Sequence, residues 1–339
     1  PSMELQHAII LFVLSTAAIA LLGTLLTRAA DQLADITGLG EAMFGAIFLG
    51  GITSLPGIVT SVVAASNGYP ELAISNAIGG IAAQTFFLSI ADITYSRVNL
   101  EHAAASFMNL MQGVLLICLL AIIIIGAYGP EFSIFGFHPA SLLIILVYMA
   151  GSRMISKARE APMWSPRITH QTVQDIPDPG HKNLSTRKVV IKFSVLSVLV
   201  AAAGYGVASA GMVLAEETGL SQGFVGTILT AIATSLPELI VSLAAVRQGA
   251  LTLAVGNIIG GNTFDVLFVS FSDLAYPSGS ILHAFTRQQF LIIGATMLMT
   301  GVLILGMLHR EKRGIGGIGW ESLLIIVIYL LANALIVFT

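Results

Sequence analysis

The chain has 339 residues, of which 56% are hydrophobic and 10% are charged, and its formal net charge is −3. Soluble domains carry about 25% charged residues, so this composition excludes an ordinary soluble protein and indicates a protein that lies in a lipid bilayer. The small net charge gives no reason to expect a nucleic-acid partner. The single cysteine, Cys118, excludes an intramolecular disulfide and a cysteine-based metal site.

Ten apolar segments are long enough to cross a bilayer, since a crossing helix needs about 20 mainly apolar residues. We therefore predict an all-α membrane protein with ten transmembrane helices. The first segment is full length and is followed by others, so we expect a membrane helix there rather than a cleaved signal. The predicted spans are 6–27, 41–66, 71–95, 107–127, 139–156, 188–209, 222–247, 250–276, 289–308 and 319–338.

A polar, proline-containing stretch separates the first five spans from the last five. We divide the chain into a first five-helix repeat (1–156), a loop (157–186) and a second five-helix repeat (187–339). Lys and Arg accumulate on the cytoplasmic side of membrane proteins, and all basic residues except Arg287 fall on the side of this loop. The prediction is a multi-pass protein of the inner or plasma membrane, with the loop in the cytoplasm and both termini outside.

The two halves are copies of one another. Residues 53–92 and 234–273 match at a constant offset of 181 positions, and 16 of the 40 aligned residues are identical. Five crossings separate equivalent points, and because five is odd, the two repeats must be inverted relative to each other. Inverted repeats with helices broken near the midplane are a transporter architecture. The alternative, duplication for stability alone, leaves two midspan carboxylates without a role.

Those carboxylates lie in the second copy. Pro237 is in the middle of a predicted span, where it cannot donate an amide hydrogen bond and should free the carbonyl of Ala233. We therefore include Ala233 among the predicted residues of a cation site. Glu238 follows directly at bilayer depth, where an ionisable group is by default a candidate for function. Asp265 comes 27 residues later, after a short turn at 248–249, and is expected at a similar depth.

Neutral oxygen atoms accompany the two carboxylates. The hydroxyls of Thr234 and Ser235 and the nearby amide oxygens complete an all-oxygen set, which suits a hard cation such as Ca²⁺. No His or Cys lies close to this set in the sequence, so zinc or copper is a poor fit. Two alternatives stay open: a protonated carboxyl pair with a structural role, and, for Asn257 and Asn76, a helix–helix hydrogen bond in place of cation binding.

Asp92 and Asp273 are a further pair of equivalent carboxylates. Both lie at the ends of predicted spans rather than at their centres. We therefore expect them at the membrane interface and not in the cation site.

With these motifs the chain resembles the cation/calcium exchanger superfamily, and more closely its prokaryotic sodium/calcium exchangers. The resemblance rests on Thr-Ser-Leu-Pro-Glu at 234–238 and Gly-Asn-x-x-Gly-x-Asn-x-x-Asp at 256–265. It implies a central site that faces the two sides of the membrane alternately and exchanges Ca²⁺ for Na⁺ or H⁺. By resemblance, Glu238 and Asp265 would be the charged ligands and Thr234 and Ser235 neutral ones. Their first-half counterparts would be Thr53, Ser54 and Gln84.

The first half departs from the family pattern. The family usually has a glutamate where this chain has Gly57, and an asparagine or aspartate where it has Gln84. The site would then hold at most two negative charges, which neutralise one Ca²⁺ or two monovalent cations. A third monovalent cation would be uncompensated in a low dielectric. We therefore expect electroneutral exchange or an altered choice of ion.

The leading interpretation is a secondary antiporter for Ca²⁺ against Na⁺ or H⁺, with inorganic cations and the lipid bilayer as partners, no cofactor and no enzymatic activity. One alternative is a monovalent Na⁺/H⁺ exchanger, favoured by the missing glutamate. Another is a transport-inactive relative that binds cations as a sensor or scaffold. An intramembrane hydrolase is weaker, because the sequence has no His-Glu-x-x-His motif. The pattern predicts no particular oligomeric state.

Overall fold

A computed structural model describes residues 3–37, 51–94, 105–134, 136–160, 185–248, 251–309 and 319–338. These residues form helices and contain no β-strand, only an isolated bridge between Ile134 and Phe137. Within them, eight helices are long and apolar enough to cross a membrane, or nine if one bent pair is a single span. The all-α membrane fold is confirmed. Three predictions lie partly outside the described residues. The undescribed parts are 41–50 of the predicted span 41–66, 161–184 of the loop 157–186, and Gly249 of the turn predicted at 248–249.

The helices overlap the predicted spans, but the helix predicted over 188–209 extends to Thr218, and the one predicted over 6–27 continues to Thr37. The first half contains α1 (Leu5–Ala18), α2 (Thr24–Thr37), α3 (Leu55–Ser66), α4 (Pro70–Thr94), α5 (Phe107–Tyr128) and α6 (Pro139–Glu160). The second half contains α7 (Thr186–Thr218), α8 (Gln222–Thr234), α9 (Leu236–Gln248), α10 (Leu251–Asp265), α11 (Leu267–Ala275), α12 (Arg287–His309) and α13 (Trp320–Phe338). A π-helical turn over Ile19–Gly23 joins α1 to α2, so that the two form one long span.

Helices break at equivalent positions in the two halves. Between α8 and α9 the chain bends by 46° at Ser235, which has φ −97° and ψ 4°. Ser54 is its equivalent and has φ −87° and ψ 5° directly before α3. Each serine is followed two residues later by a proline, Pro56 or Pro237, which has no amide hydrogen for the helix. The interruption predicted from Pro237 is therefore observed.

The two halves contact each other through equivalent residues. A Cβ atom added at Gly23 would lie 2.5 Å from Cγ of Pro237, and one added at Gly204 would lie 2.9 Å from the carbonyl oxygen of Pro56. Gly204 is the equivalent of Gly23, and Pro237 is the equivalent of Pro56. A long helix of each half thus crosses the break of the other half, at a distance that only glycine permits.

Asp92 and Asp273 make a second reciprocal pair of contacts. Asp273 accepts a hydrogen bond from the backbone amide of His138 at 2.8 Å, directly before α6, and Asp92 accepts one from the amide of Gly319 at 3.1 Å, directly before α13. His138 and Gly319 are again equivalent positions. Each carboxylate satisfies an amide at a helix N-terminus. Both aspartates lie near helix ends, as expected, and each is only 1% exposed, so that both are buried inside the protein. Their placement at the membrane interface stays a prediction.

Candidate cation site

The broken helices and the midspan carboxylates meet in one small cavity. Its volume is about 10 Å³, which is room for about one water molecule or one bare cation. Seven of the ten predicted site residues line it. The lining residues are Ser54, Gly57, Asn76, Gly80, Gln84, Thr234, Ser235, Glu238, Asp265 and Phe268.

Asp265 is at the centre of a hydrogen-bond network that joins the two halves. Its Oδ1 accepts from Ser54 Oγ at 2.5 Å, and its Oδ2 accepts from Gln84 Nε2 at 2.7 Å. Gln84 Nε2 also donates to Ser235 Oγ at 3.3 Å. Gln84 and Asp265 are equivalent positions, as are Ser54 and Ser235. The contacts are therefore reciprocal across the duplication, and neutral donors hold the Asp265 carboxylate in place.

Glu238 has a different environment. It lies in the first turn of α9, so the break at Ser235 determines its position. The residue is half-buried overall, but its Oε2 atom is buried and has no hydrogen-bond donor among the described residues. Neither Glu238 nor Asp265 forms a salt bridge within that part of the chain. Since a carboxylate without donor or countercharge is costly in a low dielectric, a cation in this cavity would supply the missing compensation.

Asn76 links the helices around the cavity. Its Nδ2 donates to Ser61 Oγ at 2.9 Å and to the carbonyl of Gly57 at 3.3 Å. Its Oδ1 accepts from Thr230 Oγ1 at 2.7 Å and from Thr234 Oγ1 at 3.5 Å. In this arrangement Asn76 makes the helix–helix hydrogen bonds that were one of its two expected roles. Ser61 and Thr230 were not predicted; the identity of Ser61 with Ser242 was an available signal, and Thr230 offered none.

Three predicted site residues are not among the residues that line the cavity. Ala233 is buried at 2% exposure, and Thr53 is half-buried beside Ser54. Asn257 is exposed on α10, whereas its equivalent Asn76 is 1% exposed. The two asparagines therefore have different environments, although the motif around them is the same.

Phe268 covers the side of the cavity that belongs to the first half. A Cβ atom added at Gly57 would lie 2.6 Å from Cε2 of this ring, which is itself 3% exposed. The sequence indicated the missing glutamate at Gly57 but did not point to Phe268 as a lining residue. The identity of Phe268 with Phe87 was the signal that could have done so.

The lining suits a hard cation. Its polar side chains are two carboxylates, three hydroxyls and two carboxamides, whose oxygens are the ligand type that Ca²⁺ and Na⁺ accept. No group of three or more His, Cys, Asp or Glu side chains that could hold a metal ion occurs among the described residues. The arrangement is thus two carboxylates and several neutral polar side chains around one cavity.

Sequence comparison relates both halves of the chain to known transporters. The profile of the sodium/calcium exchanger protein family matches residues 7–152 and 188–338. A curated relative, the putative antiporter CaxA of Alkalimonas amylolytica, is 28% identical over 266 residues, which cover 77% of this chain and 79% of CaxA.

Solved structures share the fold. The H⁺/Ca²⁺ exchanger CAX superposes with a TM-score of 0.69 at 16% identity, covering 98% of this chain and 86% of CAX. The sodium–calcium exchanger NCX_Mj superposes with a TM-score of 0.61 at 19% identity, covering 96% of this chain and 97% of NCX_Mj. Because the family profile covers both halves, the chain belongs to the sodium/calcium exchanger protein family, whose members are membrane transporters and not enzymes.

Proposed function

We propose that this protein is a secondary antiporter that exchanges Ca²⁺ for Na⁺ or H⁺, with Glu238 and Asp265 as the charged ligands. The observation that carries the proposal is the meeting of two carboxylates, neither paired with a described cationic side chain, in one cavity beside two helix breaks. Relatives with this fold add support: one is an H⁺/Ca²⁺ exchanger, and another is a sodium–calcium exchanger that was soaked with Na⁺ and Ca²⁺.

The proposed architecture is ten membrane helices in two inverted repeats of five. Reciprocal contacts between equivalent residues are the signature of a two-fold axis, and Gln84 and Asp265, which contact each other, would lie close to it. Alternating access would then be a rocking of one repeat against the other around the central cavity. The supporting reciprocal contacts are Gly23–Pro237 with Gly204–Pro56, His138–Asp273 with Gly319–Asp92, and Ser54–Asp265 with Ser235–Gln84.

The orientation that we propose follows the basic residues. The loop 157–186 would be cytoplasmic and both termini outside, in an inner or plasma membrane, because Lys and Arg concentrate on the side of that loop.

Two carboxylates set the charge that the site can compensate. They balance one Ca²⁺, or two Na⁺ or H⁺, whereas a third monovalent cation would remain uncompensated in a low dielectric. We therefore propose an exchange of one Ca²⁺ against about two monovalent cations, without net charge movement.

Glu238→Gln tests the assignment of the site. The substitution removes the charge with little change in volume, so we expect it to abolish Ca²⁺ uptake driven by a Na⁺ or H⁺ gradient in proteoliposomes. Size-exclusion chromatography and thermal unfolding should show a folded protein. Glu217→Gln, at an exposed position near the end of α7, is the matched control and should leave uptake unchanged. Uptake that survives in Glu238→Gln would contradict the assignment.

Monovalent Na⁺/H⁺ exchange is the second candidate. It is favoured by Gly57, because the equivalent position in the other half is Glu238 and the site lacks that third carboxylate. This function predicts Na⁺ flux under an H⁺ gradient that does not respond to Ca²⁺. Saturable cation binding without any flux would instead indicate a transport-inactive cation-binding protein.

A further inference from the structure

We propose that Phe268, held in place by Phe264, occupies the position of a third site carboxylate and so limits the cavity to two negative charges. The inference rests on the proposed function and deepens it, since it identifies the residue that determines how many monovalent cations the site can compensate.

The geometry at Gly57 leaves no room for a side chain unless the ring of Phe268 moves. Gly57 is equivalent to Glu238, so a carboxylate at this position would mirror the one that lines the cavity from the other half. A Cβ atom on Gly57 would lie 2.6 Å from Cε2 and 3.2 Å from Cζ of Phe268. The first of these distances is shorter than real carbon–carbon contacts, so even a methyl group requires the ring to move.

The ring of Phe268 has little freedom to move. Phe264 lies beside it with ring centroids 6.4 Å apart and planes at 75°, and Tyr148 packs edge-on against Phe264 at 5.8 Å. The ring of Phe264 also lies close to Gly51, since a Cβ atom added at Gly51 would lie 3.2 Å from its Cζ. All three rings are buried at 3–5% exposure. Edge-to-face contacts in a close-packed interior favour one arrangement of such rings.

The other half of the chain carries the opposite combination. There the residues equivalent to Gly57, Phe264 and Phe268 are Glu238, Ala83 and Phe87. A glutamate is accommodated where the supporting position is an alanine, and it is missing where that position is a phenylalanine. Phe87, moreover, is not among the described residues that line the cavity. The exchange of Glu and Ala for Gly and Phe keeps the total volume similar, as a packed interior requires.

The test copies the second-half combination into the first half. The three proteins are the wild type, Gly57→Glu, and the double variant Gly57→Glu/Phe264→Ala, each purified as the full chain. The measurement is the displacement of bound radiolabelled Ca²⁺ by increasing Na⁺. Its steepness, the Hill coefficient of the displacement curve, reports how many Na⁺ replace one Ca²⁺. Two carboxylates predict a steepness of about two Na⁺ per Ca²⁺, and three predict about three.

We expect about two Na⁺ to displace one Ca²⁺ in the wild type, and about three in the double variant. Gly57→Glu alone should either keep the wild-type value of about two or lose Ca²⁺ binding. A second double variant, Gly57→Glu/Phe268→Ala, removes the ring itself and should also reach about three. A value of about three in Gly57→Glu alone would overturn the proposal, as would a value of about two in both double variants when they are folded.

A stability measurement decides the steric claim if the double variants do not fold or if the wild type binds no Ca²⁺. Gly57→Ala should lower the Tm by at least about 2 °C. The double variant Gly57→Ala/Phe268→Leu should recover part of that loss. Gly294→Ala is the matched control, because nothing lies within 4 Å of a Cβ atom there. Without that loss, or without the recovery, the proposal fails. The proposed function fails separately, if wild-type Ca²⁺ uptake does not depend on Glu238.

Discussion

The two carboxylates in the cavity differ in how they are satisfied. Both oxygens of Asp265 accept hydrogen bonds from neutral donors, Ser54 and Gln84, whereas Oε2 of Glu238 has no donor among the described residues. An acceptor without a donor in a low dielectric gains most from an arriving cation. As ligands of the proposed site, Asp265 would already be held in position, and Glu238 would be the one whose environment changes most when a cation binds.

Asn76 should contribute more to stability than its equivalent Asn257. We expect Asn76→Leu to lower the free energy of unfolding by about 1–3 kcal/mol, since it removes four hydrogen bonds from a buried position. Asn257→Leu, at an exposed position of the same motif, should change it by less than about 0.5 kcal/mol. Unfolding of both variants in detergent checks the difference, and equal losses would contradict the role assigned to Asn76.

At the scale of the helices, the breaks at Ser54 and Ser235 depend on the long helices that cross them. The α7 helix passes the first-half break at Gly204, where Thr60 Oγ1 donates to the Gly204 carbonyl at 3.0 Å. The π-helical turn after α1 passes the second-half break at Gly23. A hydroxyl and a glycine thus hold two helices closely together in a bilayer, where apolar side chains alone give little specificity.

Gly204→Ala should destabilise the protein by about 1–3 kcal/mol. The Cβ atom of the alanine would lie 2.9 Å from the carbonyl oxygen and 3.1 Å from Cα of Pro56. Both are backbone atoms, which cannot relieve the contact by a change of rotamer. Gly301→Ala, where nothing lies within 4 Å, should keep or raise the stability because alanine is the better helix former. Thermal unfolding of the two variants is the measurement. An unchanged Tm for Gly204→Ala would contradict the close crossing.

His138 should make the stability of the start of α6 dependent on pH. Burial and the neighbouring His283 lower the pKa of His138, against a smaller opposing effect of Asp273. The neutral ring is also needed because Nδ1 accepts from the amide of Ala140 at 3.0 Å. The unfolded chain therefore takes up the proton more readily than the folded one, so stability is complete above the ordinary histidine pKa of about 6.5 and falls as the pH drops through that value.

The measurement is the Tm at a pH of about 7.5 and of about 5.5. The loss of Tm on acidification should be smaller in His138→Gln than in the wild type. His283→Gln is the control on the exposed partner ring, and it should keep most of the acid sensitivity. An identical acid response in His138→Gln and the wild type would show that His138 is not the group responsible.

At the scale of the whole molecule, the two halves hold each other together. Directly before the last helix of each half, a backbone amide, that of His138 or Gly319, donates a hydrogen bond to an aspartate of the other half. The central hydrogen bonds from Ser54 and Gln84 to Asp265 also cross between the halves. Movement of one half against the other would therefore change the contacts of Asp265 in the cavity as well as the contacts of Asp92 and Asp273 at the two helix starts.

A balanced exchange should be independent of the membrane potential. In proteoliposomes with K⁺ and valinomycin, the steady-state accumulation of Ca²⁺ should be the same at zero and at negative inside potential. One uncompensated charge would be worth about 2.3 kcal/mol per 100 mV, which is a change of tens-fold in accumulation. Vesicles with Glu238→Gln provide the background. A current under opposed Na⁺ and Ca²⁺ gradients would contradict electroneutral exchange.

The amino-acid sequence was enough to predict the membrane class, the duplication, the interruption at Pro237 and the presence of Glu238 and Asp265 at one site. These features depend on local properties: the length of apolar segments, the missing amide hydrogen of Pro237, and the identity of residues at a constant offset. The tertiary structure was needed to show which of the equivalent residues line the cavity. Asn76 lines it and Asn257 does not, and Asp92 and Asp273 cap helices of the opposite half.

The physical reason is that equivalent residues have different neighbours. Position 57 is followed by the same helical pattern as position 238, but the ring of Phe264 supports Phe268 beside Gly57, and the corresponding support in the other half is Ala83. Contacts of this kind join helices that are far apart in the chain, so neither periodicity nor repeat alignment encodes them. The pattern of the chain thus indicates where the two carboxylates meet, and packing between the halves determines that the ring of Phe268 lies beside Gly57.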